Sequence, residues 1–204
     1  MKRVVKIAGL GLAALVAVLV VVGFFLPRKW HVEQVVLVNA GPEHIYPLVS
    51  DLKEWPSWAA WNKDMDPEVK WEYGGPASGP GAWWSWNGPK MGRGKMTITK
   101  SEPGSGVWVD EMIETDKEVN AKGSLTWTTQ GGGTQITWVD EGTLPPVIGG
   151  YFVGFIENML ANNFQTGLTK LKAAAEQRKG AAAAVQAEQE GTAVAAPVAA
   201  PATP

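Results

Sequence analysis

The longest regular pattern of apolar and polar positions lies near the end of the chain, in residues 146–179. Apolar residues recur there at steps of three and four, which places them on one face of an α-helix. At 1.5 Å per residue, a helix of roughly 30 residues is about 45 Å long. The sequence therefore predicts a long amphipathic C-terminal helix. Its apolar face contains Phe152, Phe155, Ile156, Met159, Leu160, Phe164, Leu168 and Leu171.

The region before this helix consists mainly of short segments with strand character. Pro42 and Glu43 open one short helix, which Pro47 is expected to shorten or kink. Elsewhere, clusters of glycine, proline and asparagine separate apolar segments at intervals of about 8 to 12 residues, without helical patterns between them. This spacing predicts an antiparallel meander. Strands are expected at residues 30–38, 69–73, 82–86, 94–101, 106–114, 120–129 and 135–140.

An uninterrupted apolar segment, residues 7–26, lies near the other end of the chain. Its length is about what a helix needs to cross a hydrocarbon core of roughly 30 Å. It is longer than the apolar part of a secretory signal, ~7–15 residues, and only Val21-Val22-Gly23 resembles a cleavage site. We therefore predict an uncleaved, single-pass membrane anchor in which residues 4–26 contact the membrane.

The charges indicate an orientation for this anchor. Residues 1–29 carry five basic side chains and no acid, whereas the whole chain has a net charge of −2. Three of these basic residues precede the apolar segment and favour a cytoplasmic N-terminus, although Arg28 and Lys29 follow it. The globular domain is then expected outside the cytoplasmic (inner) membrane. Because the domain has no basic footprint, nucleic-acid binding is not predicted.

The composition divides the chain into three parts. Residues 1–29 are the anchor with its basic flanks, residues 30–179 form one globular domain, and residues 180–204 are an Ala- and Pro-rich tail that we expect to be disordered. The chain has no cysteine, which excludes disulfides and thiolate metal sites. Its two histidines, His31 and His44, have no partner at metal-ligand spacing, so neither a metal nor another cofactor is predicted.

Several motifs in the domain resemble the START-like (SRPBCC) superfamily, specifically its polyketide cyclase/dehydrase-like branch. The resemblance extends over about residues 30–179. It implies an α+β helix-grip fold, in which a curved antiparallel sheet of about seven strands surrounds the long C-terminal helix and leaves an apolar cavity between them. The motifs are Asn39-Ala40-x-x-Glu43, Ser50-Asp51-Leu52, Trp55-x-x-Trp58-x-x-Trp61, Asp66-Pro67, Gly79-Pro80-Gly81-Ala82-x-Trp84-x-Trp86, Gly92-x-Gly94-x-Met96-x-Ile98 and Phe164-x-x-Gly167-Leu168-x-x-Leu171-Lys172.

Aromatic residues are the main candidates for lining such a cavity, since the chain contains 11 tryptophans. Trp55, Trp58 and Trp61 recur at steps of three. They either line the cavity mouth or serve as packing anchors at one end of the sheet. Trp84 and Trp86 share one face of a strand, so Trp83 presents its indole to solvent, membrane or a protein partner on the other face. The predicted ligand-cavity residues are Trp55, Trp58, Trp61, Trp84, Trp86, Phe152, Phe155, Ile156, Met159 and Phe164.

One acid, Glu111, is the only candidate for catalysis, and the strand pattern leaves its environment open. If the face with Val109 and Ile113 points inward, Glu111 is a buried carboxyl with a raised pKa that can serve as a general acid or base. If the face with Trp108 and Met112 points inward, Glu111 is solvated. No Ser-His-Asp set or nucleotide-binding glycine loop accompanies it, and no catalytic residue is assigned.

These observations favour a membrane-anchored, non-catalytic domain that binds a hydrophobic small molecule or lipid. The alternative is a polyketide cyclase/dehydratase-like enzyme that acts on an aromatic or hydrophobic substrate. A third hypothesis is a protein whose tryptophan face docks a protein partner while side chains fill the cavity. Gly149-Gly150, before the long helix, is a candidate hinge for ligand entry.

Overall fold

Seven antiparallel strands form one sheet in the computed structural model, which describes residues 2–114 and 118–194. Their order across the sheet is β1-β7-β6-β5-β4-β3-β2, so β1 joins the meander at its far edge beside the last strand. The strands are β1 Lys29–Val38, β2 Lys70–Gly74, β3 Trp83–Gly88, β4 Gly92–Glu102, β5 Gly106–Glu114, β6 Glu118–Gln130 and β7 Gly133–Thr143.

The long C-terminal helix packs against the inner face of this sheet. Phe164, Leu168, Leu171 and Ala175 are all buried at steps of three and four, which is one face of a helix. The sheet and this helix therefore form the predicted α+β helix-grip. The helices are α1 Lys2–Phe25, α2 Pro42–Ser50, α3 Trp55–Trp58 and α4 Val153–Val194, with a short 3₁₀ turn at Gly149–Tyr151 before α4.

Both ends of α4 differ from the predicted helix at residues 146–179. The helix begins only at Val153, because Val147 has a left-handed φ of 72° and the chain then forms the 3₁₀ turn. At its other end α4 continues to Val194, since alanine has the highest helix propensity and is abundant after residue 180. The part of the predicted tail at residues 180–194 is therefore helical in this structure, while residues 195–204 lie outside the described residues.

The N-terminal helix α1 is apolar along most of its length and almost entirely exposed. Residues Lys6–Phe25 are long and apolar enough to cross a membrane. On length and composition, α1 is a candidate membrane span or signal sequence.

The two short helices between β1 and β2 close one end of the core. Pro42 lies in the first turn of α2, as predicted, and Pro47 is accommodated within the helix. The side chains of Ile45, Leu48 and Val49 lie on the buried face of α2. A single helical turn, α3, then brings two tryptophans into the core beside α4.

Candidate functional site

A cavity of about 170 Å³ lies between the inner face of the sheet and α4. Its wall is aromatic and aliphatic, with two carboxylic acids as its polar exceptions and no basic residue among the described lining residues. The lining residues are Trp55, Trp61, Trp84, Trp86, Met91, Met96, Glu111, Ile113, Trp138, Asp140, Met159, Leu160 and Phe164.

The alternation of side chains along the strands supplies most of this wall. In β7, every second residue from Thr134 to Asp140 is buried, which brings Trp138 and Asp140 to the inner face. In β5, Val107 and Val109 are buried, whereas Asp110 is exposed. The face that carries the valines is therefore the inner one, and Glu111 points toward the cavity.

The aromatic rings at one side of the cavity pack tightly against each other. Trp138 stacks on Phe164 with ring centroids 4.0 Å apart, and it meets Trp55 and Trp58 edge-on at 5.9 and 5.5 Å. The indole N–H of Trp55 donates to the Val49 carbonyl at 2.9 Å, and that of Trp58 donates to Leu48 at the same distance. These bonds fix α3 against α2, so the tryptophan cluster forms a rigid wall.

A glycine makes room for the two carboxyl groups. Gly123 lies in β6, directly between Val109 of β5 and Asp140 of β7. A Cβ at this position would lie 3.3 Å from Oε1 of Glu111 and 3.7 Å from Oδ2 of Asp140. Both carboxyl groups therefore approach the same point on the inner face of the sheet, where a larger residue would crowd them.

Burial makes this carboxyl pair difficult to ionise. It raises the pKa of Glu111 to about 8, and the negative charge of Asp140 adds to the effect. Burial also raises the pKa of Asp140 to about 6. The Trp30 indole N–H donates a hydrogen bond of 2.6 Å to Oδ1 of Asp140, which stabilises the carboxylate and partly opposes this rise. Near neutral pH the pair as a whole therefore favours retaining a proton.

Glu111 also borders a second, more open cleft of about 480 Å³ at the end of the sheet. This cleft is polar, with side chains such as Lys29, Asp110 and Lys122 on its wall. Glu111 thus lies between the apolar cavity and a region accessible to water. This position gives a proton on its carboxyl a short route to solvent.

The structure brings six of the ten predicted cavity residues together: Trp55, Trp61, Trp84, Trp86, Met159 and Phe164. Trp58 is fully buried behind Trp55, and Ile156 packs against the core without lining the cavity. Phe152, just before α4, and Phe155 on α4 are exposed and are not part of the cavity wall. Phe155 directly precedes Ile156, which packs against the core, so Phe155 is rotated by about 100° around the helix from that residue.

Sequence reasoning missed Met91, Trp138 and Asp140, among others. Ile136 and Trp138 alternate with the polar residues Gln135 and Thr137 along β7, and Asp140 continues the same face beyond Val139. The pattern could have identified Trp138 from the sequence. Asp140 gave no such signal, because an acid near the end of a strand ordinarily faces solvent.

The indole of Trp83 is less exposed than the strand pattern suggests. It packs over Gly74 of the neighbouring strand, and the Lys95 ammonium lies 4.4 Å from its ring centroid. On the inner face, the buried N–H groups of Trp71 and Trp84 have no hydrogen-bond partner in the described part of the chain. Trp84, whose side chain lines the cavity, thus carries a buried donor without a partner.

Comparisons with known proteins agree with this geometry. A family model described as "Polyketide cyclase / dehydrase and lipid transport" matches residues 29–176. No curated protein matches the chain in sequence.

Several solved structures share the fold at low sequence identity. The di-domain ARO/CYC StfQ from the steffimycin biosynthetic pathway is 14% identical, with a TM-score of 0.59 over 75% of this chain and 52% of its own. Protein CV1439 from Chromobacterium violaceum is 15% identical, with a TM-score of 0.52 over 72% of this chain and 96% of its own. Hypothetical protein jhp0584 from Helicobacter pylori is 9% identical, with a TM-score of 0.54 over 72% and 88%.

Proposed function

Because the chain belongs to the polyketide cyclase / dehydrase and lipid transport family, we propose that its cavity binds a hydrophobic small molecule or a lipid without transforming it. The observation that carries this proposal is the cavity wall itself, which is aromatic and aliphatic except for Glu111 and Asp140. A wall of this kind favours an apolar guest and offers it few polar contacts.

The cavity volume limits what can enter. An apolar cavity of about 150 Å³ is large enough to bind benzene, so 170 Å³ accommodates a ring or a short alkyl segment. Met91, Met96 and Met159 on the wall are flexible, and their movement enlarges the space for a longer guest. We therefore propose that a lipid would insert one apolar part, with its polar end toward the surface.

We further propose that α1 remains attached and anchors the domain in the cytoplasmic membrane as a single-pass span. The basic residues before its apolar segment support a domain on the outer side of that membrane. A tether of this kind keeps the cavity close to a reservoir of apolar molecules.

Native mass spectrometry of the full chain, purified from membranes, tests the binding function. We expect the wild type to retain a hydrophobic molecule that Met96→Trp loses, because Met96 is buried on the inner face and the larger ring fills the cavity. The matched control is Met112→Trp on the outer face of the adjacent strand, which should retain the molecule. An empty wild type, or equal occupancy in both variants, would contradict the proposal.

The carboxyl pair supports a second candidate function, in which Glu111 transfers a proton to or from a bound aromatic or hydrophobic substrate. A carboxyl with a pKa of about 8 holds its proton near neutral pH and can act as a general acid. If Glu111 catalyses a dehydration, alone or coupled to cyclisation, the substrate left in Glu111→Gln would exceed the product extracted from the wild type by the elements of water. Identical molecules in both would leave binding as the function.

A further inference from the structure

An exposed apolar surface extends from residue 148 into the start of α4, beside the cavity. It consists of Ile148, Tyr151, Phe152, Phe155 and Met159, which we call the apolar ridge. Four of these residues are between 45% and 66% exposed, and Met159 is 39% exposed. Residues 144–156 contain no charged side chain. Glu157 is the only charged residue among residues 148–159, and a surface of large exposed apolar residues with so little charge marks a contact site.

The apolar ridge begins where the chain packs against the end of α1. The Tyr151 hydroxyl donates a hydrogen bond of 2.7 Å to the Leu19 carbonyl. The Val147 carbonyl lies directly against Gly23, and Gly150 lies against Leu26, at distances that leave no room for a side chain on either glycine. This close contact gives Gly150 a packing role, which differs from the hinge that the Gly149-Gly150 pair suggested.

Backbone conformation at this contact is also unusual. Val147 has a φ of 72°, a left-handed conformation that is strained for a β-branched residue. This strained residue is also the one whose carbonyl contacts α1. Its conformation sets the direction in which the chain continues from α1 into Ile148 and the rest of the apolar ridge.

The contact with Leu19 sets the depth of the apolar ridge relative to a membrane. Leu19 precedes the last residue of α1, Phe25, by six positions, which corresponds to about 9 Å along a helix. If α1 spans the bilayer with Phe25 at the hydrocarbon boundary, the Tyr151 hydroxyl lies below that boundary. At that depth the hydroxyl is satisfied by the Leu19 carbonyl, as a polar group in hydrocarbon requires.

We propose that the apolar ridge lies in the same lipid leaflet as the end of α1, as a second membrane contact beside the span. Phe152 and Phe155 then insert among the upper parts of the acyl chains. Met159 belongs both to the ridge and to the cavity wall, so the cavity mouth faces the leaflet and an apolar guest enters without crossing water. This inference rests on the proposed anchor function of α1.

The absence of cysteine allows single labels to be placed on the full chain without background. Nitroxide labels at Phe155→Cys, Gln165→Cys and Val16→Cys would be compared in phosphatidylcholine/phosphatidylglycerol nanodiscs by their accessibility to oxygen and to a water-soluble nickel chelate. Gln165 is the matched control, because it is exposed on the same helix, ten residues farther along. Val16 is the reference within α1. Thermal melts confirm that each variant is folded.

We expect the label at residue 155 to be more accessible to oxygen than to nickel, as at residue 16, and the label at residue 165 to show the reverse. If residue 16 is in lipid and residue 155 is as accessible to nickel as residue 165, the apolar ridge is in water and the inference fails while the anchor stands. Protection of residue 155 from both reagents would indicate cover by protein and would also overturn it. Nickel access at residue 16 would overturn the anchor as well.

Discussion

Raising the pH from 5 to 8 is expected to destabilise the wild-type protein, and Glu111→Gln is expected to remove most of that loss. The folded-state pKa of Glu111 is about 8, above its ordinary value of 4.5. The folded state therefore favours the protonated carboxyl. The stability that this provides is fully present below pH 4.5 and is lost as the pH rises through about 8. At 1.36 kcal/mol per pKa unit, the loss is roughly 4 kcal/mol.

Urea unfolding at several pH values between 5 and 8 measures this effect. Asp140, whose pKa is raised to about 6, contributes a smaller loss of the same sign that begins above its ordinary value of 3.8. The free energy of unfolding of Glu111→Gln should therefore still fall somewhat as the pH rises toward 6. The matched control is Glu114→Gln, an exposed acid on the same strand, which should keep the wild-type profile. A wild-type free energy of unfolding that does not fall toward pH 8 would contradict the buried pair.

Trp58→Ala is expected to lower the free energy of unfolding by about 3–5 kcal/mol, the usual cost of truncating a buried tryptophan. Trp58 is fully buried, and its ring centroid lies 4.9 Å from that of Trp55 and 5.5 Å from that of Trp138. Removal of the indole leaves a hole behind the cavity wall. It also leaves the Leu48 carbonyl without its donor.

The variant Trp58→Phe separates these two contributions. It keeps an aromatic ring in the cluster and removes only the indole N–H and part of the ring volume, so a smaller loss of about 1–3 kcal/mol is expected. Trp83→Ala on the outer face should cost less than Trp58→Ala, since Trp83 is only partly buried. Similar losses for Trp58→Ala and Trp83→Ala would show that Trp58 is not a packing anchor. Urea unfolding at one pH suffices for this comparison.

The elements could be predicted from the sequence pattern, and their arrangement from the family resemblance. Clusters of glycine, proline and asparagine delimited the strands, the steps of three and four identified α4, and the resemblance to the START-like superfamily implied the helix-grip. The rotation of α4 was not predicted, because Phe152 and Phe155 extend the apolar stripe beyond the part that the sheet covers. An apolar stripe can face a sheet, a membrane or a partner, and only packing distinguishes them.

The carboxyl pair could not be predicted, because it depends on strand register. Both faces of β5 carry apolar side chains, so the sequence alone left the orientation of Glu111 open. Both acids pair with small residues of β6: Glu111 with Ala121, and Asp140 with Gly123. These residues leave the space in which the two carboxyl groups meet, and that space exists only once the three strands are aligned.

NMR of methyl-labelled methionine tests most directly whether the cavity between sheet and helix binds an apolar guest. The chain has only six methionines, of which Met91, Met96 and Met159 line the cavity while Met112 lies on the outer face of the sheet. On titration of the full chain in nanodiscs with p-cresol, a ring-sized probe, the signals of these three methionines should shift saturably and that of Met112 should not. Shifts that do not saturate, or that affect Met112 equally, would contradict the proposed binding function.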